Sequence, residues 1–266
     1  MGKFDGYLLL SDFDGTLAHT ESIITEEGKQ SFQVISKENC DAIRYFQSEG
    51  GLFTLATGRP VHWLAQWNDF FVPNTYIVSF NGAYICDSTG KDVLFSRAMD
   101  DDFLAQAACI WQACPDLKWV HFHSMTENSH VQNRESLDSF HPPFPAYKMV
   151  FYARKEQSDE YTQRISSILD DRFIFMRSWI NGIEIQMRGT GKGDAILRLK
   201  KHLGDRARTV VAVGDYENDI DMVQKADIGY AMGNAIPALK AVADRQTVRD
   251  NESAIARIIE ELERGC

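Results

Sequence analysis

Several features are scarce in this chain of 266 residues, and each scarcity excludes a class of protein. Cysteine occurs only five times. Because this count is odd and the first residues lack the apolar core of a secretory signal, we expect reduced thiols and a cytoplasmic protein. No apolar run approaches the ~20 residues that span a bilayer, so we expect no membrane-spanning segment.

Positive charge is also scarce. The chain has 28 Lys and Arg against 38 Asp and Glu, which gives a formal net charge of −10. This balance argues against a nucleic-acid or anionic-membrane partner. An anionic substrate would need a local positive site or a bound cation. Cys109 and Cys114 with His121 and His123 match no common zinc spacing, so we expect buried thiols and strand histidines.

The most informative stretch is Asp12-Phe13-Asp14-Gly15-Thr16, which follows the apolar run from Tyr7 to Leu10. That run predicts a strand buried on both faces. Residues i and i+2 of an extended chain point the same way, so Asp12 and Asp14 would face one spot. Gly15 permits a sharp exit from the strand. The alternative is a plain turn at Asp14-Gly15.

Strands and helices alternate through the first 83 residues. We predict strands at 7–10, 52–56 and 76–80 and helices at 36–47, with Ser36 as N-cap, and 61–67. From residue 189 the pattern resumes, with helices at 194–203 and 252–262 and strands at 209–213 and 228–232. This alternation predicts an α/β fold, a doubly wound parallel sheet with helices on both faces.

The segment between these parts has a different texture. We predict a hairpin over 85–95, strands at 119–123, 147–152, 173–176 and 183–187, helices at 102–114 and 158–169, and leave 125–145 without assignment. Short strands interrupted by helices suggest an antiparallel α+β unit. We therefore predict a core built from residues 1–83 and 189–266, with an inserted α+β domain at 84–188.

Polar residues follow the predicted core strands, and ligands of such sheets bind beyond the carboxyl ends of the strands. Asp12, Asp215 and Asp219 would form a cluster of carboxylates that repel one another unless a cation binds. Mg²⁺ prefers such oxygen ligands together with water and substrate oxygens. Thr57 could add a hydroxyl and Lys192 a positive charge, a set that suits phosphoryl transfer.

Two nucleotide-binding motifs that would favour a different function are incomplete or absent. Lys192 lies in a glycine-rich segment, but no Ser or Thr follows it as a Walker A motif requires. No glycine fingerprint follows the first strand, which disfavours dinucleotide binding.

In this order, four segments resemble the motifs of the haloacid dehalogenase superfamily: Asp12-Phe13-Asp14-Gly15-Thr16-Leu17, Thr57-Gly58-Arg59, Lys192 and Gly214-Asp215-Tyr216-Glu217-Asn218-Asp219. The insertion, with Ser79-Phe80-Asn81-Gly82-Ala83 before it, is similar to the α/β cap of the Cof-like branch, whose members are Mg²⁺-dependent phosphatases. The glycine-rich approach to Lys192 departs from the branch's usual hydrophobic or proline-bearing segment.

The resemblance implies a role for each motif residue. Asp12 would be the nucleophile that forms an aspartyl-phosphate, and Asp14 the acid and then the base. Phosphate and substrate would contact Thr57, Gly58, Arg59, Asn81, Gly82, Lys192 and Asn218. Magnesium would be held by Asp12, Asp14 through its main-chain carbonyl, and Asp215, with Asn218 and Asp219 in support.

We therefore expect a Mg²⁺-dependent phosphatase of small phosphorylated metabolites, with sugar phosphates as the leading class. A phosphomutase and a non-catalytic phosphate-ligand sensor are the alternatives. Arg59 could touch phosphate or pair with a neighbouring acid, and His62, Trp63 and Trp67 are expected to pack in a helix. Candidates for substrate contact in the insertion are His121, His123, Arg134, Lys148 and Trp179.

Overall fold

The structure, a computed structural model, describes residues 2–25, 28–142 and 144–265. Its strands are β1 (Tyr7–Ser11), β2 (His19–Thr25), β3 (Gly28–Val34), β4 (Leu52–Leu55), β5 (Ile77–Ser79), β6 (Tyr84–Cys86), β7 (Val93–Ser96), β8 (Val120–His123), β9 (Asn128–Val131), β10 (Lys148–Tyr152), β11 (Phe173–Trp179), β12 (Gly182–Met187), β13 (Thr209–Gly214), β14 (Ile228–Ala231) and β15 (Arg245–Gln246). Its helices are α1 (Lys37–Ser48), α2 (Val61–Leu64), α3 (Phe103–Ala113), α4 (Arg134–Asp138), α5 (Ser158–Ile168), α6 (Lys192–Leu203), α7 (Ile220–Lys225), α8 (Pro237–Lys240) and α9 (Ala254–Gly265). Within the described residues, no helix combines the length and apolarity needed to cross a bilayer.

A parallel sheet in the order β15-β14-β13-β1-β4 forms the centre of the molecule. Leu9 in β1 pairs with Val211 on one side and Phe53 on the other. A parallel bridge from Ala56 to Val78 continues the sheet to β5. The predicted α/β class with a doubly wound parallel sheet is confirmed.

Both faces of the central strands β1, β4 and β13 are buried because these strands are mainly apolar. Leu9 packs in a cluster with residues of α1 and α9, whereas Leu8 and Leu10 pack on the opposite face with residues of α6. Ser36 caps α1, as predicted, and its side chain accepts a hydrogen bond from the main-chain N–H of Asn39 at 3.2 Å. Within the described residues, helices pack on both faces of the sheet, and the carboxyl ends of its strands face a cavity.

The second sheet is antiparallel, in the order β11-β12-β10-β8-β9. Alternate residues of β10 separate its faces: Met149 and Phe151 pack in an apolar cluster with α3 and α5. Lys148, Val150 and Tyr152 lie on the other face and line a cavity. This sheet has its own core, as expected for an inserted α+β unit.

The hairpin β6–β7 lies with the parallel sheet rather than with the second one. β6 pairs with β5, and Ile85 is buried in the same apolar cluster as Leu8 and Leu10. The predicted start of the inserted domain at residue 84 therefore splits a three-stranded meander. We propose residues 97–188 as the inserted unit, since its apolar cluster begins at Met99.

Some elements carried no sequence signal. The polar stretch after Thr16 forms the hairpin β2–β3, whose paired residues include Ser22 with Ser31 and Thr20 with Gln33. A two-stranded hairpin needs no continuous apolar face, so its pattern is weak. The unassigned segment 125–145 contains β9 and α4, apart from Pro143, which lies outside the described residues.

Candidate active site

A cavity of about 600 Å³ lies where the carboxyl ends of β1, β4 and β13 meet the open face of the second sheet. Asp12, Asp14 and Asp215 line it from the parallel sheet, and Lys148, Tyr152 and Trp179 line it from the second sheet. Chain segments that are far apart in sequence therefore form one site.

Lys192 and two carboxylates form the floor of this site. The Lys192 Nζ donates to Asp12 Oδ1 and to Asp219 Oδ1, both at 2.6 Å, and none of the three side chains is more than 9% exposed. Burial raises the pKa of Asp12, and Lys192 opposes that rise. Burial would lower the pKa of Lys192, but the charges of Asp12 and Asp219 raise it. The ammonium therefore stays charged and holds Asp12 in place.

Asp215 completes a cluster with Asp12 and Asp219, in which one oxygen of each lies within 4.8 Å of the others. Burial, then the charges of Asp12 and Asp219, raise the pKa of Asp215. Thr16 donates to Asp215 Oδ1 at 3.4 Å. Three close carboxylates with a single buried ammonium carry excess negative charge, and oxygen donors of this kind suit Mg²⁺. The residues present therefore fit a divalent cation.

The two oxygens of Asp219 are already engaged. Oδ1 accepts from Lys192, and Oδ2 accepts from the main-chain N–H groups of Asp215 at 3.0 Å and Tyr216 at 3.1 Å. Asp219 thus fixes the loop that carries Asp215, while Asp12 and Asp215 both line the cavity.

Asp14 is held by an arginine. Arg59 donates from Nε to Asp14 Oδ2 at 2.7 Å and from Nη2 to Oδ1 at 2.6 Å, and Gln33 donates to Oδ1 at 2.9 Å. The Arg59 guanidinium lies 3.7 Å from the centre of the Trp63 ring, which packs edge-on against Phe13. Of the two possibilities for Arg59, the structure shows the pair with a neighbouring acid.

Trp63 and His62 do more than pack in a helix, because both line the cavity. Trp67 lies behind them against Phe13. Gln33 was missed by sequence reasoning, since an amide in a polar stretch gives no signal until the hairpin brings it to Asp14.

Thr57 and Gly58 follow β4 at the same end of the sheet. Thr57 is 1% exposed, and its hydroxyl accepts from the main-chain N–H of Arg59 at 3.1 Å. Gly58 lines the cavity, and a Cβ at that position would lie 3.1 Å from Lys148 Nζ. The ammonium of Lys148 therefore sits directly beside the Thr57-Gly58 loop.

Asn81 and Gly82 lie one layer behind the cavity wall. Asn81 is fully buried, donates to Glu184 Oε2 at 2.7 Å and accepts from Asn218 Nδ2 at 3.1 Å. Gly82 packs under the main-chain carbonyls of Thr190 and Gly191. Among the described residues, Asn218 lines the cavity, whereas Asn81, Gly82, Thr57 and Lys192 do not, so the lining gives no support to their direct contact with substrate.

The second sheet contributes a buried ion pair and a histidine. Lys148 Nζ donates to Glu184 Oε2 at 2.7 Å, and the two side chains are 6% and 1% exposed. Burial, and then the charge of Lys148, lower the pKa of His123 to about 3, so its imidazole is neutral. Of the predicted candidates, His123, Lys148 and Trp179 line the cavity. His121 lies beside His123, and Arg134 pairs with Asp138 on the surface.

Comparison with known proteins places the chain in a family. The model of the haloacid dehalogenase-like hydrolases matches residues 9–259. The 5-amino-6-(5-phospho-D-ribitylamino)uracil phosphatase YitU of Bacillus subtilis is 25% identical over 281 residues, which cover 96% of this chain and 97% of YitU. Phosphatase YwpJ of the same organism is 26% identical over 300 residues, covering 96% of this chain and 99% of YwpJ.

A solved structure has the same fold. A HAD/COF-like hydrolase of Plasmodium vivax superposes with a TM-score of 0.78 at 20% identity, covering 100% of this chain and 97% of the other. The chain belongs to the haloacid dehalogenase-like hydrolases. It is an enzyme of the phosphoric monoester hydrolase class.

Proposed function

We propose that this protein hydrolyses small phosphate monoesters in two steps through a phosphorylated Asp12, with Mg²⁺ as its cofactor. The observation that carries this proposal is the Lys192 ammonium, which holds one oxygen of Asp12 at 2.6 Å in a buried cluster facing the cavity. A carboxylate fixed in this way is oriented for attack on phosphorus.

Asp12 and Asp215, with the main-chain carbonyl of Asp14, would hold the metal. Asn218 and Asp219 would support it, since both oxygens of Asp219 are already engaged. When bound, Mg²⁺ supplies positive charge that neutralises the phosphoryl oxygens. Gly58 lines the cavity, Thr57 precedes it in the chain, and Lys192 bonds to Asp12, which also lines the cavity; these three residues would orient the phosphoryl group.

Each step has a defined role for this chain's residues. Asp12 attacks phosphorus as the bond to the alcohol oxygen breaks, and Asp14 gives its proton to that oxygen. Water then attacks the phosphorus of the acyl phosphate, Asp14 takes the proton, and inorganic phosphate and Asp12 are released. Arg59 pairs with Asp14 before substrate binds. The phosphoryl oxygens of the substrate would draw Arg59 away, and Asp14 would then take up from water the proton that it gives to the departing oxygen.

The Asp12→Asn variant tests the nucleophile. The amide is nearly isosteric but a poor nucleophile, so multiple turnover of p-nitrophenyl phosphate should vanish while the fold persists. Asp41→Asn, which changes an exposed carboxylate on α1, is the matched control and should retain activity. Substantial turnover by the Asp12→Asn protein, with deamidation excluded by mass spectrometry, would refute the covalent route.

Sugar phosphates are the first substrates to test, and a cytoplasmic location stays a prediction. A mutase would require a bisphosphorylated sugar as primer, so release of phosphate without that primer distinguishes the two reactions. A phosphate-ligand sensor would bind the same esters without turnover.

A further inference from the structure

An irregularity in β11, the edge strand of the second sheet, directs the side chain of Trp179 into the cavity. In strict alternation, Trp179 would lie on the same face of β11 as Phe173 and Phe175, which pack against the helices. A register shift between Arg177 and Trp179 makes Ser178 an extra residue, so Trp179 pairs with Gly182 instead. The bulge places Ser178 and Trp179 together on the cavity side.

Gly182 makes room for this ring. A Cβ at Gly182 would lie 2.3 Å from the nearest carbon of the Trp179 indole, so any other residue would push the indole away. Tyr152 pairs with Gly182 from the opposite strand, and its ring centre lies 5.7 Å from that of Trp179. The two half-buried rings, together with Val150, form an apolar wall of the cavity, which we call the aromatic wall.

The position of the aromatic wall relative to the reacting groups follows from β10. The strand begins at Lys148, whose ammonium lies beside the Thr57-Gly58 loop, and ends at Tyr152. Val150 and Tyr152 lie two and four residues beyond Lys148, about 7 and 13 Å along the extended strand. This spacing leaves room for a sugar or polyol between a phosphate beside the Thr57-Gly58 loop and a chemical group that contacts the aromatic wall.

The chemistry of the aromatic wall selects the kind of group. Sugar hydroxyls against Val150 and the ring faces of Trp179 and Tyr152 would lose water without gaining hydrogen bonds, which is unfavourable; the Tyr152 hydroxyl and the Trp179 indole N–H could bond a hydroxyl only at the ring edges. A planar ring loses little and gains stacking. Resting on the proposed phosphatase function, we infer that the preferred substrate is a phosphate monoester whose alcohol carries a planar heterocycle about one sugar unit from phosphorus.

The test compares uridine 5′-monophosphate with ribose 5-phosphate, which share the phosphorylated primary alcohol and differ in the planar ring. We expect kcat/KM to be at least about tenfold higher for the ring-bearing ester, since stacking on an aromatic side chain changes binding by such factors. In Trp179→Leu this ratio should fall to near one, and Trp179→Phe should keep most of it. Ile180→Ala, an exposed change in the same turn and outside the cavity lining, should leave the ratio as in the parent.

A parent ratio near or below one overturns the inference while leaving the phosphatase function intact. The inference is also overturned if the ratio is unchanged in Trp179→Leu. An equal loss of kcat/KM with both esters is one such result and would show that Trp179 has a purely structural role. If neither ester nor p-nitrophenyl phosphate is hydrolysed, the proposed function itself fails.

Discussion

Replacing Asp14 by asparagine separates the two-step mechanism from simple metal-assisted hydrolysis. A sugar phosphate needs a proton on its departing oxygen, and positioned acid–base groups contribute about 10²–10⁴-fold. We expect Asp14→Asn to lose about that factor in kcat with glucose 6-phosphate. With p-nitrophenyl phosphate, whose leaving group needs little protonation, the first step should be far less affected. The phosphorylated Asp12 should then accumulate, because its hydrolysis still lacks a base.

The structure shows that this loss would not come from unfolding. The Arg59 and Asp14 side chains are 34% and 41% exposed, and exposed pairs of this kind contribute about 0–1 kcal/mol. For a chain of this size 1 kcal/mol corresponds to a melting shift of about 2–4 °C. Asp102→Asn is a matched control, because Arg172 also donates two hydrogen bonds to Asp102, far from the cavity.

The decisive assay is rapid quench of Asp14→Asn with p-nitrophenyl phosphate, followed by trapping of the phosphoenzyme. A burst of one nitrophenolate per enzyme is the expected result. Equal losses with both substrates and no trapped phosphoenzyme would show that Asp14 is only a turn residue paired to Arg59.

Two further predictions concern the metal and the buried ion pair. Chelation should abolish activity, and Mg²⁺ should restore it. Mg²⁺ should not restore the activity of Asp215→Ala, because this variant lacks a carboxylate of the cluster. Full activity in chelator would contradict the metal assignment. Lys148→Met should lower the free energy of unfolding by about 3–5 kcal/mol, because it leaves the Glu184 carboxylate buried without its cation. Urea unfolding measures this loss. The double variant Lys148→Met with Glu184→Gln should recover part of the lost stability. No loss in the single variant would show that the hydrogen bond from Asn81 is sufficient to stabilise the buried Glu184 carboxylate.

One topological rule was enough to bring two carboxylates of the candidate site together. Asp12 and Asp215 follow neighbouring parallel strands, so their side chains had to meet at one edge of the sheet. Lys192 was assigned to that edge without a predicted contact, and the structure adds its two carboxylate partners. The buried strands carried the strongest pattern, and their bounds came within one or two residues.

Contacts that depend on irregular backbone could not be predicted in this way. Gln33 reaches Asp14 only because an exposed hairpin folds over the strand end. Trp179 faces the cavity only because of a bulge that strict alternation does not contain. The boundary of the insertion at residue 84 was predicted from a change in the sequence pattern. The meander β5–β6–β7 is defined by hydrogen bonds between strands, which composition does not reveal.

The turn after β5 gives a structural role to Asn81, a residue that the sequence motif identified as a candidate substrate contact. Phe80 and Asn81 both have positive φ, 48° and 55°, a conformation that costs about 1–3 kcal/mol for such residues. Contacts from the inserted unit hold them there: Phe80 stacks on Tyr147 with ring centres 5.2 Å apart, and Asn81 donates to Glu184. Asn81 also accepts from Asn218 beside the carboxylate cluster. The strained turn therefore links the carboxylate cluster of the candidate site to the second sheet, and a shift of that sheet would break hydrogen bonds that reach Asn218, next to Asp219.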